Sequence, residues 1–324
     1  AGKVVVACCD KEIKIFLEKK NIYYIWTKKN LNSGTDRVNY AFEKIKNRGN
    51  YKYVIKYSKI ERTNDINSIQ LSPVRAALKF YNENIPFEMH YDADLPAKTG
   101  LGTSSSFMVG LAHIFNKIKN DSTDKLKLAT EAVHIEQNIL KENVGSQDQT
   151  IAAYGGFNKL TFNDQGISVN RVKISKKREE SFKQYLLMFY TGITRNSSEI
   201  TKDHKDNINK NDAQLEKIKQ LAIDGINILE SDENLIEFGK ILHKSWLLKR
   251  TLTKKITNEV VDKLYEKGIN NGAIGGKLLG AGTGGFLLFF AKPENHKQII
   301  SALSEVKHVN FDFEEQGSQI IYNK

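Results

Sequence analysis

The run Pro96-Ala97-Lys98-Thr99-Gly100-Leu101-Gly102-Thr103-Ser104-Ser105-Ser106 sets glycines, hydroxyls and a lysine between a strand-like segment, Phe87 to Tyr91, and an apolar-periodic one. Glycines let a backbone turn tightly and approach a ligand, and successive free N–H groups then form an anion-binding concavity. The start of a helix adds its own unpaired donors and partial positive charge. The hydroxyls add side-chain donors and oxygen atoms able to ligate Mg²⁺. Such a loop suits a polyphosphate, whereas the plain alternative is a Ser/Thr cap on a surface helix. No Lys-Ser or Lys-Thr follows the glycines and no G-x-G-x-x-G is present, which excludes a P-loop and a dinucleotide fingerprint.

Two acids stand downstream. A helix from Lys125 to Leu140 carries Ala129, Ala132, Val133, Glu136, Ile139 and Leu140 on one face, so Glu136 sits within an apolar stripe. A buried carboxylate is costly unless it is paired or ligates a cation. It therefore reads either as half of a salt bridge to a core Arg or Lys, or as a Mg²⁺ ligand or ligand-facing acid. Ser146 and Gln149 have capping-box spacing, which places Asp148 in the first turn of the next helix. The helix dipole alone accounts for many such acids. Beside a phosphate loop and Glu136, Asp148 is also an acceptor for a substrate hydroxyl proton. A third cluster, Gly275-Gly276-Lys277-Leu278-Leu279-Gly280-Ala281-Gly282-Thr283-Gly284-Gly285, precedes a strand, the wrong order for a Rossmann loop.

The elements that must position these residues alternate in the first half. Lys3 to Phe16, Ile22 to Thr27 and Tyr51 to Tyr57 are strand-like, Val74 to Tyr81 reads as a helix after Pro73, and Phe107 to Ile118 has helical spacing. Phe157 to Phe162 reads as a strand closing that half, and the polar stretch Asn163 to Glu180 as a boundary. Beyond it, Tyr185 to Tyr190 reads as a strand, and Asp212 to Leu229, Leu235 to Leu248 and Asn258 to Gly268 as helices. Strand Phe286 to Phe290, helix Glu294 to Val306 and a last strand near Gln319 to Tyr322 complete two α+β lobes, residues 1–170 and 171–324.

At 324 residues and 40% hydrophobic composition the chain can bury a substantial core. No apolar run is long enough to span a bilayer and no signal peptide is evident, so membrane partners are not expected. The net charge of +11 is spread through Lys/Asn-rich segments interleaved with acids, which argues for a solvated surface over a nucleic-acid footprint. Cys8 and Cys9 are the two cysteines, adjacent in a strand-like run where neighbours face opposite ways. A disulfide between them is not expected, and a reducing cytoplasm is the simplest compartment.

Together the three motifs resemble the GHMP kinase superfamily. Its second motif, P-x-x-x-G-L-G-S-S, is matched by Pro96 to Ser104 with Thr103 in place of the first Ser, and its third by Lys277 to Gly285. Within the superfamily the chain is most similar to the bacterial D-glycero-D-manno-heptose 7-phosphate kinases. The likeness rests on Glu131-Ala132-Val133-His134-Ile135-Glu136, Gln147-Asp148-Gln149 with Ala153-Tyr154-Gly155-Gly156, Phe189-Tyr190-Thr191-Gly192-Ile193-Thr194-Arg195, and His243-Lys244-Ser245-Trp246, from about Tyr51 onward. The resemblance implies a ribosomal-protein-S5-like N-terminal lobe that binds nucleotide and a ferredoxin-like C-terminal lobe.

It also implies roles. Pro96, Lys98, Gly100, Leu101, Gly102, Thr103, Ser104 and Ser105 would bind the phosphates of ATP, Ser104 and Glu136 would hold Mg²⁺, and Asp148 would orient or deprotonate the attacking sugar hydroxyl. Arg195, Lys249, Arg250, Gly282 and Thr283 are the substrate candidates, the three cations having an ordinary salt-bridge reading as well. The implied acceptor is the anomeric hydroxyl of a heptose 7-phosphate, on a route to GDP-heptose. A kinase for fucose or a galactose-type sugar, and a catalytically silent sugar- or nucleotide-binding homologue, are the alternatives. A homodimer stays open. The superfamily's first motif, a basic residue ahead of Gly-Gly-Gly-Thr-Asp, is not matched at the start of this chain. Ala1-Gly2-Lys3-Val4 resembles the strand after it, so residues are expected to be missing ahead of Ala1. Ser33-Gly34-Thr35-Asp36 echoes the motif after two strands and reads as an insertion or a coincidence.

Overall fold

A computed structural model describes residues 51–94, 99–193 and 211–321, with residues 6–8, 14, 15, 18, 19 and 24–26 of the first fifty. The chain divides into two compact units, residues 1–69 with 85–91 and residues 70–84 with 92–324.

In the first unit, β1 (Val6–Cys8) pairs in parallel with β2 (Tyr24–Trp26). The strand-like run expected from Lys3 to Phe16 is shorter than its composition promised, because Lys14 and Ile15 are helical. A second sheet has β3 (Tyr53–Lys56) at its centre, antiparallel to β4 (Ile60–Thr63) and parallel to β5 (Phe87–His90). The β-branched and aromatic run Tyr53-Val54-Ile55 is buried there, Tyr53 meeting Phe87 with ring centroids 5.4 Å apart.

The second unit begins with α1 (Ser72–Phe80), which includes Pro73 in its first turn rather than starting after it. Pro costs nothing there, since its missing N–H would have no helical partner. Next come α2 (Thr103–Ile118), α3 (Lys125–His134) running into a π-helical turn at Ile135–Ile139, and α4 (Gln147–Tyr154). These helices share a buried polar tie. The Tyr81 hydroxyl donates to Glu131 Oε2 at 2.6 Å, and Asn116 Nδ2 donates to the same oxygen at 2.6 Å.

The polar stretch Asn163–Glu180 is ordered. It completes the hairpin β6 (Asn158–Asn163) and β7 (Gly166–Arg171) and starts α5 (Lys176–Gln184). A four-stranded antiparallel sheet follows in the order β11-β8-β10-β9, with β8 at Leu186–Tyr190, β9 at Ala273–Leu278, β10 at Phe286–Ala291 and β11 at Lys307–Val309. The helices are α6 (Asp212–Glu230), α7 (Leu235–Thr251), α8 (Glu259–Asn270) and α9 (His296–Ala302). One sheet face buries Leu187, Phe189, Leu278, Leu287 and Phe289 against Trp246, Leu264, Tyr265 and Ile299, and Phe290 packs with Phe182, Leu235 and Phe238.

Two C-terminal expectations are corrected. The helix expected over Glu294–Val306 is only His296–Ala302, preceded by a tight turn at Pro293–Asn295. Among the described residues the last strand is Lys307–Val309, in register with Tyr190 to Met188; residues 319–321 are not extended into a sheet, and Tyr322 lies outside the described residues. With the place beside β8 already filled, the tail crosses to α4 instead. Gly156 N donates to Glu314 O at 2.6 Å and Lys125 Nζ donates to Gln316 O at 2.9 Å.

Candidate active site

The phosphate loop folds as its glycines require. Gly100 and Gly102 have φ of 85° and 71°, and Gly102 is the N-cap of α2. The N-cap residue itself has no side chain to cap that helix, so the plain Ser/Thr-cap reading does not hold. Ser106 N donates to Gly102 O at 2.8 Å, and this is the first bond of the helix. The earlier amides, of Thr103, Ser104 and Ser105, have no intrahelical acceptor and form a donor-rich, positively polarised end. Thr99 and Ser105 are buried, Leu101 and Thr103 are half-buried, and Ser104 is exposed. Pro96 and Lys98 lie outside the described residues.

Glu136 lies in the π-helical turn that ends α3, where Leu140 N bonds Ile135 O at 2.9 Å. Its carboxylate is 1% exposed and receives Ser104 Oγ at 3.4 Å, Ser105 Oγ at 3.1 Å and Gln149 Nε2 at 2.5 Å. Burial pushes the carboxyl above its ordinary range, and the donors from Gln149 and Ser105 pull it partway back. The salt-bridge alternative finds no support, for no Lys or Arg pairs with Glu136 among the described residues. A carboxylate buried without a cation, next to a serine hydroxyl, is the hard oxygen donor set that Mg²⁺ takes. Glu136 and Ser104 fit that ion.

Asp148 is exposed in the first turn of α4 and lies against the phosphate loop. A Cβ placed on Gly102 would sit 3.1 Å from the Asp148 Cβ and Cγ. Only a glycine in this left-handed conformation leaves the acid room beside the start of α2. The expected capping box is absent: Ser146 caps nothing with its side chain, and Gln149 turns inward to Glu136. Gln149 is the site residue that sequence reasoning missed. Its signal was its place on the inner face of α4 with Thr150 and Ala153, all three buried.

The C-terminal glycine cluster is half strand, since Gly275 to Leu278 belong to β9. The loop after it reaches the phosphate loop through Gly285, where an added Cβ would fall 2.2 Å from Thr99 O. Gly282 and Thr283 face another way, Thr283 N donating to Ile256 O at 2.7 Å and Thr283 Oγ1 to Lys255 O at 2.5 Å. Lys249 Nζ donates to Gly280 O at 2.6 Å, and Arg250 pairs with Asp262 at 3.0 Å. Arg195 lies outside the described residues. Lys277 is half-buried on β9, and desolvation pushes its ammonium below the usual lysine range.

Comparison with known proteins identifies the family. Residues 72–156 match the GHMP kinases N terminal domain and residues 226–308 the GHMP kinases C terminal domain. A D-glycero-alpha-D-manno-heptose 7-phosphate kinase of Campylobacter jejuni is 32% identical over 249 residues, covering 75% of this chain and 73% of the relative. The chain belongs to the GHMP kinase family. A bifunctional fucokinase/GDP-fucose pyrophosphorylase of Arabidopsis thaliana is 30% identical over 68% of this chain, but that match spans only 21% of the plant protein. The crystal structure of a D-glycero-D-manno-heptose 1-phosphate kinase from Bacteroides thetaiotaomicron superposes with a TM-score of 0.68 at 23% identity, covering 85% of each chain. That likeness bears on the fold, which is the α+β architecture of GHMP kinases. The protein is thus an ATP-dependent phosphotransferase with an alcohol group as acceptor. Among the described residues no helix is long and apolar enough to cross a membrane.

Proposed function

We propose that this GHMP kinase is a sugar kinase that transfers the γ-phosphoryl group of ATP to the anomeric hydroxyl of D-glycero-D-manno-heptose 7-phosphate, giving the 1,7-bisphosphate. The observation that carries the reading is Asp148 packed on Gly102 at the start of α2, with the buried carboxylate Glu136 bonded to Ser104 behind it. The acceptor class draws its support from the Campylobacter jejuni relative.

In this reading Pro96, Lys98, Gly100, Leu101, Gly102, Thr103, Ser104 and Ser105 bind the phosphates of ATP, with the amides at the start of α2 as donors. Ser104 and Glu136 hold Mg²⁺, which when bound neutralises phosphate charge. Asp148 accepts the proton of the sugar hydroxyl as its oxygen attacks the γ-phosphorus; the bond from that phosphorus to the bridging oxygen breaks, and ADP leaves with that oxygen and the electron pair. Catalysis of this reaction is mostly positioning and charge stabilisation, which rigid loop amides and a packed helix supply. Arg195, Lys249 and Arg250 are the candidates for the acceptor's phosphate, whereas Gly282 and Thr283, held against Ile256 and Lys255, are not carried into the acceptor side. The first lobe runs to about residue 170, between the two matched family segments. The product enters a cytoplasmic route to GDP-heptose.

A coupled assay of ADP release over a panel of sugars and sugar phosphates tests the acceptor. Turnover of the heptose 7-phosphate above the other sugars is expected. Turnover of fucose or galactose alone would move the acceptor to that sugar, and nucleotide binding without turnover of any sugar would mark a silent homologue.

A further inference from the structure

The two oxygens of the Glu136 carboxylate are not equivalent. Oε2 accepts from Gln149 Nε2 at 2.5 Å and from Ser105 Oγ at 3.1 Å, which fills both of its lone-pair directions. Among the described residues Oε1 has only the hydroxyls of Ser104 and Ser105, each at 3.4 Å, near the outer limit of a hydrogen bond. Gln149 is 0% exposed, and its own amide oxygen is buried without a partner among the described residues. Facing a carboxylate, only the N–H side of an amide is attractive. Gln149 is therefore oriented by Glu136, even though this leaves its acceptor unsatisfied.

We propose that Gln149 is a positioning residue for Glu136: it pins Oε2, so that Oε1 is the oxygen presented beside Ser104 to the Mg²⁺ of the nucleotide. The inference rests on Glu136 and Ser104 being the metal-holding pair. It also gives the first turn of α4 a double task, because Asp148 on the acceptor side and Gln149 on the metal side are consecutive residues of one rigid element.

Gln149→Met keeps the length of the side chain and removes the donor. Mn²⁺ serves as the probe, with free Mn²⁺ read by electron paramagnetic resonance in the presence of saturating ADP. Loss of an outer-shell partner costs about 10–100-fold in metal affinity, and that weakening is expected for Gln149→Met. ADP affinity without metal should stay near the parent value, whereas a purely structural role would move it. In the Glu136→Gln background, adding Gln149→Met should weaken Mn²⁺ no further, because the donor would act through a carboxylate no longer there. Wild-type Mn²⁺ affinity in Gln149→Met, or additive losses in the double variant, would overturn the inference. Should Gln149→Met fold poorly, Ser105→Ala removes the other donor to Oε2 and should weaken Mn²⁺ in the same direction; unchanged affinity there counts against pinning. The two levels separate cleanly. If Glu136→Gln itself leaves Mn²⁺ binding intact, the metal role of Glu136 falls. If it weakens binding while Gln149→Met does not, only the role of Gln149 falls.

Discussion

Asp148 and Gly102 form one unit at the residue scale: the glycine lacks a Cβ where the acid needs space. Asp148→Asn keeps the shape and removes the proton acceptor. Turnover should fall about 10²–10⁴-fold, the range of general-base catalysis, with ATP affinity unchanged by calorimetry. Gly102→Ala tests the glycine itself. A left-handed conformation costs a non-glycine residue about 1–2 kcal/mol, and the new methyl would sit 3.1 Å from Asp148. A lower urea midpoint together with a drop in kcat/KM is expected, while a loss of stability without a kinetic effect would separate the glycine from the acid. Each of these residues could be picked out in the sequence by type and spacing. The partners of Glu136 could not, since Gln149 lies thirteen positions away on another helix and carries a capping-box spacing that pointed elsewhere.

At the scale of elements, α4 is held at its end as well as at its start. Beyond Tyr154, Lys125 Nζ bridges Tyr154 O at 2.8 Å and Gln316 O at 2.9 Å, and His113 Nδ1 meets Ser318 Oγ at 2.9 Å. The C-terminal tail is thus a strap over the helix that carries Asp148 and Gln149. Lys125→Met leaves two carbonyls without their charged donor and should cost about 1.5–3 kcal/mol in urea unfolding. Proteolysis of the tail should then precede global unfolding; simultaneous cleavage would mean that the strap is not an independent element. Helices α1, α2, α6, α7 and α8 were legible from their 3.6-residue apolar period. Strand β9 was not, because Gly275 and Gly276 carry no side chains to show the period of two, and they are strand only through their register with Phe290 and Phe289. Strand β11 was missed for a related reason. Three residues hold too little pattern, and pairing with β8 selects them.

For the whole molecule, one buried and one half-buried histidine set a pH dependence. Burial holds His113 and His308 below their ordinary 6.5. Between the folded and unfolded values the unfolded chain binds more protons, so stability rises with pH through that window. The contribution is complete above 6.5 and is lost as the pH falls. Urea midpoints should therefore decline from about pH 7.5 to about pH 5.5, and His113→Gln should flatten the decline. A midpoint independent of pH would mean that both rings stay accessible to protons in the folded state.

The phosphate loop, the apolar-stripe position of Glu136 and the first-turn position of Asp148 are properties of neighbouring residues, written in glycine spacing, helical period and cap chemistry. Those local rules carry the reading of a polyphosphate site, and the likeness of the motifs to the GHMP family carries the kinase reading. Tertiary structure alone decided that Gln149 serves Glu136 instead of a cap, that Gly285 rather than Gly282 meets Thr99, and that the tail straps α4 instead of joining the sheet. Each of these contacts closes a long loop or fills a place in a sheet. Its free energy depends on which surfaces the other elements leave open, and no local window of sequence contains that information.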